Sequence, residues 1–207
     1  MGEMGFYQEQ VLPRFTDVAL GRHMEPIRAR VATGLGGEVL EIGFGSGRNL
    51  PHLSPAVTRL LAVEPAPAGP RLAAGRIGAA PFPVELVGAD GEDLPLPDTS
   101  VDHALVTWTL CTIPDVERTL RETLRVLRPG GTLHFVEHGR SPTPRIAQWQ
   151  DRLTPLWGRL FGGCHLNRTI DQLITGAGFR LDTLETYRMG GGELAGFAYE
   201  GVASKGI

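Results

Sequence analysis

Short, β-branched apolar runs alternate along the chain with segments of helix length, and this alternation limits the fold more than any other feature. Glu38–Ile42, Leu60–Glu64, Val84–Val87, His103–Thr107, Thr132–Glu137, Arg180–Tyr187 and Phe197–Ala203 read as strands. Helix-length stretches separate successive strands up to the sixth, the pattern of βαβ units and a mainly parallel sheet. Only Met189–Gly192 lies between the last two, so those should pair antiparallel as a hairpin. The expected fold is α/β, with a seven-stranded sheet in which one strand is reversed. At 207 residues the chain is the size of one domain, 1–207.

Val116, Leu120, Leu124 and Leu127 recur on one helical face, so 116–128 reads as a helix capped by Asp115 and stopped by Pro129-Gly130-Gly131. Pro65–Pro83 reads as a surface helix with loop ends. Two segments fall outside the alternation. Residues 1–30 carry Tyr7, Val11, Phe15 and Val18 at helical spacing. Residues 139–178 carry Trp149, Leu153, Leu156, Trp157, Leu160 and Phe161 on another helical stripe, with Pro155 expected to kink or restart the helix. Ligands of open α/β sheets bind beyond the carboxyl ends of the strands. The two segments are placed to close over that edge, 1–30 as a helical cap and 139–178 as a lid.

Composition removes several mechanisms. All but one of the 20 basic residues are arginine, and the exception is Lys205 beside the C-terminus. A P-loop needs its lysine just after the glycine loop, and a Schiff-base enzyme needs a buried one, so neither is expected. The net charge of −3 argues against a nucleic-acid partner, and Arg118, Arg121, Arg125 and Arg128 read as a solvated helix face. The sequence has no apolar run long enough for a transmembrane anchor, and its first ten residues lack the order of a signal peptide, so a cytoplasmic protein is expected. Cys111 and Cys164 are too few for a four-cysteine zinc site; they read as ordinary buried thiols, and no metal is expected.

The chemistry concentrates in Glu38-Val-Leu-Glu-Ile-Gly-Phe-Gly-Ser-Gly-Arg-Asn-Leu50, a strand running into Gly43, Gly45 and Gly47 and then a helix. Glycines there let backbone N–H groups approach a ligand. The spacing is G-x-G-x-G, not the G-x-G-x-x-G of dinucleotide binders. Glu41, two residues before the first glycine, would repel a pyrophosphate and attract an ammonium. That favours a cationic ligand such as S-adenosylmethionine (SAM). Glu64, ending the second strand, can accept both ribose hydroxyls of an adenosine. Asp90 after the third strand can accept from an adenine amino group, or form a plain Asx turn.

Glu-Ile-Gly-Phe-Gly-Ser-Gly, Glu64-Pro65, Gly88-Ala-Asp-Gly-Glu-Asp-Leu-Pro95 and Leu124-Arg-Val-Leu-Arg-Pro-Gly-Gly-Thr-Leu133 together resemble the class I SAM-dependent methyltransferases. The likeness is greatest to the branch with the ubiquinone and menaquinone C-methyltransferases. It implies a Rossmann-like sheet ordered 3-2-1-4-5-7-6 with strand 7 antiparallel, SAM as cofactor and S-adenosyl-L-homocysteine as product. Carried over by position, it assigns Glu41, Gly43, Gly45, Gly47 and Asn49 to the methionine portion, Glu64 and Pro65 to ribose, and Asp90, Gly91 and Glu92 to adenine, with Thr107 at the same site. Thr109–Arg118, Phe135–His138, Trp149–Trp157 and Leu160–Arg168 are also similar to the methyltransferase-like seven proteins, membrane-anchored enzymes implied to methylate alkyl thiols. Here His165 stands where that subgroup usually has asparagine, and an N-terminal apolar anchor is lacking.

Methyl transfer is an in-line displacement that mainly needs alignment and exclusion of water, plus a base only when the acceptor arrives protonated. His138, with Glu137 beside it, follows the fifth strand at the carboxyl edge and is the expected base. An apolar acceptor pocket is expected between Tyr7, Phe15 and the 139–178 connection, lined by Trp108, Trp149, Trp157 and His165. The expected function is methyl transfer to a small, largely apolar thiol, quinol, phenol or amine. The alternatives are a non-catalytic SAM-binding or interaction module, and an RNA or protein methyltransferase.

Overall fold

The computed structural model describes residues 21–206 apart from 89, 191 and 193. Tyr7 and Phe15, and with them most of the expected N-terminal cap, lie outside the described residues. The elements are α1 (Gly21–Val31), β1 (Gly37–Ile42), β2 (Val57–Val63), α2 (Ala68–Ala79), β3 (Val84–Gly88), β4 (Val101–Thr107), α3 (Val116–Val126), β5 (Leu127–His138), α4 (Pro144–Leu160), α5 (Ile170–Gly176), β6 (Arg180–Arg188) and β7 (Phe197–Ser204). They form one seven-stranded sheet in the order β3-β2-β1-β4-β5-β7-β6. β1 through β5 pair in parallel, and β7 is antiparallel to both β5 and β6. The expected sheet, order and reversed strand are all present.

Two crossovers differ from the expected alternation. Between β1 and β2 the chain makes only a 3-10 turn, Leu50–His52, and among the described residues no helix lies between β3 and β4. Pro55 explains the first: Pro51 is tolerated in the first turn, but Pro55 lacks an N–H and disfavours a helical Ser54, and the chain is already extended at Leu53. In the opposite sense, α4 runs unbroken through Pro155. α3 ends at Val126, two residues before the expected stop, because Leu127 already enters β5. Its cap is as expected, with Asp115 Oδ1 accepting from the Arg118 amide at 2.9 Å. Arg125 and Arg128 are not simply solvated: Arg125 pairs with Glu122 and Asp98, and Arg128 with Glu38 and Asp102.

Strand periodicity sorts the core into two layers. Leu40, Ile42, Val106 and Phe135 face α3 and α5, where Leu120, Ile170 and Ile174 are fully buried. Val39, Leu105 and Val136 face the opposite layer with Val31, Leu50 and Ala73. Sandwiching β1 and β4 this way fixes where their carboxyl ends emerge. Both end at the same edge, β1 in the glycine loop and β4 in Trp108, whose φ of 51° is a left-handed conformation costing about 1–2 kcal/mol. The chain turns back over the edge there.

Candidate active site

The cofactor edge is built around a carboxylate that the fold buries and leaves half-used. Glu41 is 1% exposed. Its Oε1 accepts from Asn49 Nδ2 at 2.7 Å, while Oε2 is buried with no hydrogen-bond partner among the described residues. Burial pushes its carboxyl up to about 8 and the Glu64 charge adds to this, against the Asn49 hydrogen bond and Arg28. Asn49 Nδ2 also donates to Thr107 Oγ1 at 3.0 Å, and Arg28 donates to Asn49 Oδ1 at 2.8 Å and to Thr107 Oγ1 at 3.2 Å. Arg28 therefore reaches from α1 across both strand ends, with its guanidinium 4.7 Å above the Trp108 ring.

Gly43 has a φ of 77°, and a Cβ there would lie 2.1 Å from Thr109 Oγ1. Glycine is needed for both the conformation and the space. Gly45 and Gly47 are also left-handed. Glu64 accepts from the Gly45 amide at 2.6 Å and the Ala66 amide at 2.8 Å, and burial raises its carboxyl. Asp90 is exposed and makes the Asx turn, its Oδ1 accepting from the Glu92 amide at 2.7 Å. Glu92 in turn accepts from the Asp115 amide at 2.9 Å, Gly91 packs near Thr119, and Pro65 is exposed beside Glu64.

The neighbouring turn, 109–114, is clamped from both sides. Glu137, fully buried, accepts from the amides of Thr109, Leu110 and Cys111. Burial and the Cys111 sulfur push its carboxyl up to about 8 against those amides. Arg168 donates to the carbonyls of Leu110 and Ile113 from the other side, and the His165 amide donates to the Cys111 carbonyl at 2.7 Å. The clamps bring Cys111 into a buried cluster with His138 and Cys164, whose ligating atoms all lie within 4.8 Å of one another. His138 Nε2 is 3.1 Å from Cys164 Sγ, and its Nδ1 is buried without a partner among the described residues. A hydrogen bond from Cys164 and the charge of His138 lower the Cys111 thiol, and the same hydrogen bond raises that of Cys164. Burial alone would depress His138, but the Cys111 sulfur outweighs it and holds the imidazole up at about 9.

A methyltransferase-domain family model matches residues 40–135. A phosphatidylethanolamine N-methyltransferase from Cereibacter sphaeroides is 30% identical over 186 residues, covering 87% of this chain and 89% of its own. The chain belongs to the SAM-dependent methyltransferases. A human thiol S-methyltransferase is 35% identical over 134 residues, covering 63% of this chain and 54% of its own length, so the chain spans about half of that relative. A demethylmenaquinone methyltransferase from Desulfitobacterium hafniense is 33% identical over 84 residues, 39% of this chain and 33% of its own. The fold matches that of a Thermotoga maritima SAM-dependent methyltransferase with a TM-score of 0.68 at 21% identity, covering 97% of this chain and 99% of the other.

SAM is the cofactor of this methyltransferase family, and the edge fits it: a buried, unpartnered carboxylate oxygen can meet an ammonium, beside a loop whose glycines leave the backbone open. Glu41, Gly43, Gly45, Gly47, Asn49, Glu64 and Thr107 gather at that edge. Of the expected acceptor residues, Trp108 lies under Arg28, and Trp157 lies beside Cys164 and stacks on Phe161 at 4.2 Å. His165 is half-buried, with its imidazole lowered chiefly by burial. Trp149 is 53% exposed, with Arg152 over its ring. The reading of Cys111 and Cys164 as ordinary buried thiols is corrected by His138 and Arg168 beside them. Sequence reasoning also missed Arg28 and the clamping role of Arg168, because one more arginine in a chain rich in arginine carries no signal. No helix among the described residues is long and apolar enough to cross a membrane.

Proposed function

We propose that the protein transfers the methyl group of SAM to the sulfur of a small thiol. When bound, SAM supplies a methyl group on a sulfonium, which leaves as a neutral thioether. Glu41 would take the ammonium on its free oxygen, held in place by Asn49 and Arg28. Gly43, Gly45 and Gly47 would present backbone to the methionine portion, and Glu64, beside Pro65, would accept the ribose hydroxyls with lone pairs its two amides leave over. Asp90, Gly91 and Glu92 would border adenine, and Thr107 would hold Asn49 in register.

One observation carries the choice of acceptor: the imidazole of His138 stands against the chain's own Cys164 sulfur, with the guanidinium of Arg168 near it, a cationic edge that suits an incoming thiolate. Thiolate is the nucleophilic form of a thiol, and neighbouring cations stabilise it. A neutral amine gains no such stabilisation, and its methylated product, an ammonium, would form beside two like charges. Trp157 and Phe161 add an apolar wall suited to an alkyl chain. The names of the thiol S-methyltransferase relatives agree with this reading. The phosphatidylethanolamine N-methyltransferase relative, matched over more of the chain, supplies the competing reading of a lipid amine.

Turnover with SAM separates these, using a simple alkyl thiol, a quinol and phosphatidylethanolamine vesicles as acceptors and mass spectrometry of the product. S-methylation is expected, with His138→Ala lowering thiol turnover about tenfold or more through loss of a thiolate-stabilising cation and leaving SAM affinity unchanged. Methylation of the amine or quinol but not the thiol would overturn the proposal.

A further inference from the structure

Cys111, His138 and Cys164 come from three separate elements: the turn after β4, the end of β5, and the segment between α4 and α5. All three are buried, and one sulfur, one imidazole nitrogen and a second sulfur converge within 4.8 Å. Ordinary packing does not require this convergence. A tetrahedral zinc ion with Zn–S near 2.3 Å and Zn–N near 2.0–2.1 Å separates its ligand atoms by about 3.5–3.8 Å. The 3.1 Å between His138 Nε2 and Cys164 Sγ would open slightly, and the widest separation would close by about 1 Å. Both are side-chain adjustments.

The donor set selects the ion. Two thiolates and an imidazole suit zinc-class cations, whereas magnesium and calcium need oxygen. The neighbouring carboxylate of Glu137 is occupied by the amides of residues 109–111. Three protein ligands leave a fourth position, the arrangement of reactive zinc sites as opposed to closed structural ones. Two thiolates neutralise a divalent ion. A third anionic ligand would carry the site to a net negative charge, and the half-buried Arg168, clamped to the adjacent turn, stands where that charge would form.

We propose that Cys111 Sγ, His138 Nε2 and Cys164 Sγ hold a zinc-class divalent cation whose fourth position takes the sulfur of the acceptor. The acceptor half of this inference rests on the thiol reading above; the metal half does not. In the step it implies, the acceptor thiol binds the cation and loses its proton to solvent water. A sulfur lone pair then forms the S–CH3 bond as the sulfonium C–S bond breaks. The electron pair of that bond stays on the departing thioether, and the neutral methyl sulfide leaves the cation.

The test uses the reduced full-length protein, stripped with a chelator and titrated with Co²⁺ as the probe. One equivalent should bind with near-ultraviolet thiolate-to-cobalt charge transfer and the strong visible bands of tetrahedral cobalt, and Zn²⁺ should bleach both. Cys111→Ser and Cys164→Ser should each diminish the charge-transfer band while still binding SAM by calorimetry, which shows that they fold. Adding an alkyl thiol to the wild-type cobalt protein should raise the charge-transfer absorbance, and chelation should lower thiol methylation at least tenfold, restored by Zn²⁺. Failure to bind one equivalent, bands unchanged in both serine variants, or a Cys111–Cys164 disulfide that persists under reducing conditions would overturn the metal site. Bands indifferent to the thiol would overturn the acceptor position. Full thiol methylation by the chelated enzyme would overturn this inference and leave the proposed function standing. A metal-loaded protein that methylates no thiol would overturn the proposed function and leave the metal site standing.

Discussion

Replacing Glu41 by glutamine should change how SAM binding depends on pH, by an amount set by burial. The carboxyl is held at about 8, against an ordinary value of 4.5, chiefly because the chain gives it no water. At pH 7 only about one molecule in eleven carries the charge that an ammonium would pair with. Selecting the ionised form therefore costs SAM binding roughly 1–2 kcal/mol at pH 7, and about as much again at pH 6. Below pH 8, Kd should rise close to tenfold for each unit of acidification, and binding should release nearly one proton. The sign in stability is the reverse. Between 4.5 and 8 the folded, cofactor-free protein holds a proton that the unfolded chain has lost, so this group makes stability fall as pH rises through that window, by about 1.4 kcal/mol per unit. Glu41→Gln removes the binding slope and this group's share of the stability slope, leaving the share of Glu137, which is also held at about 8, and weakens SAM at pH 8, where the wild type is half ionised. Calorimetry in two buffers of different ionisation enthalpy measures proton release, and urea denaturation at pH 5.5 and 7.5 measures the stability slope. A wild-type Kd that is flat between pH 6 and 7.5, with no proton released, would refute the reasoning.

Gly43→Ala forces a Cβ to within 2.1 Å of Thr109 Oγ1 at a φ of 77°. It should cost about 1–3 kcal/mol of stability by urea denaturation and abolish SAM binding by calorimetry. Arg28→Ala strips Asn49 Oδ1 and Thr107 Oγ1 of a donor; Thr107 keeps Asn49 Nδ2, and losing the donor to the buried Asn49 Oδ1 should cost about 1–3 kcal/mol. SAM affinity should fall with it, because Asn49 then no longer holds Glu41.

Strand-like alternation, the glycine run and the acidic residues at Glu41, Glu64 and Asp90 were legible in the sequence because each is a local signal. A strand's period, a glycine's left-handed φ and a carboxylate's distance from a loop depend on near neighbours. Local signals also misled where proline chemistry competed with pattern. Pro55 cut the expected helix after the glycine loop to a 3-10 turn, whereas Pro155 was absorbed within α4. What only the tertiary structure decided involves long separations. Arg28 meets Thr107 across 79 residues, and Arg168 meets Ile113 across 55. Cys111, His138 and Cys164 converge because parallel crossovers bring the ends of β4 and β5 to one edge, and the chain after α4 returns over it. Burial then converts that placement into chemistry. Glu41, Glu137 and His138 titrate away from their ordinary values because the fold withholds water and sets distant charges beside them, Glu64 and Arg28 by Glu41 and Cys111 by Glu137 and His138.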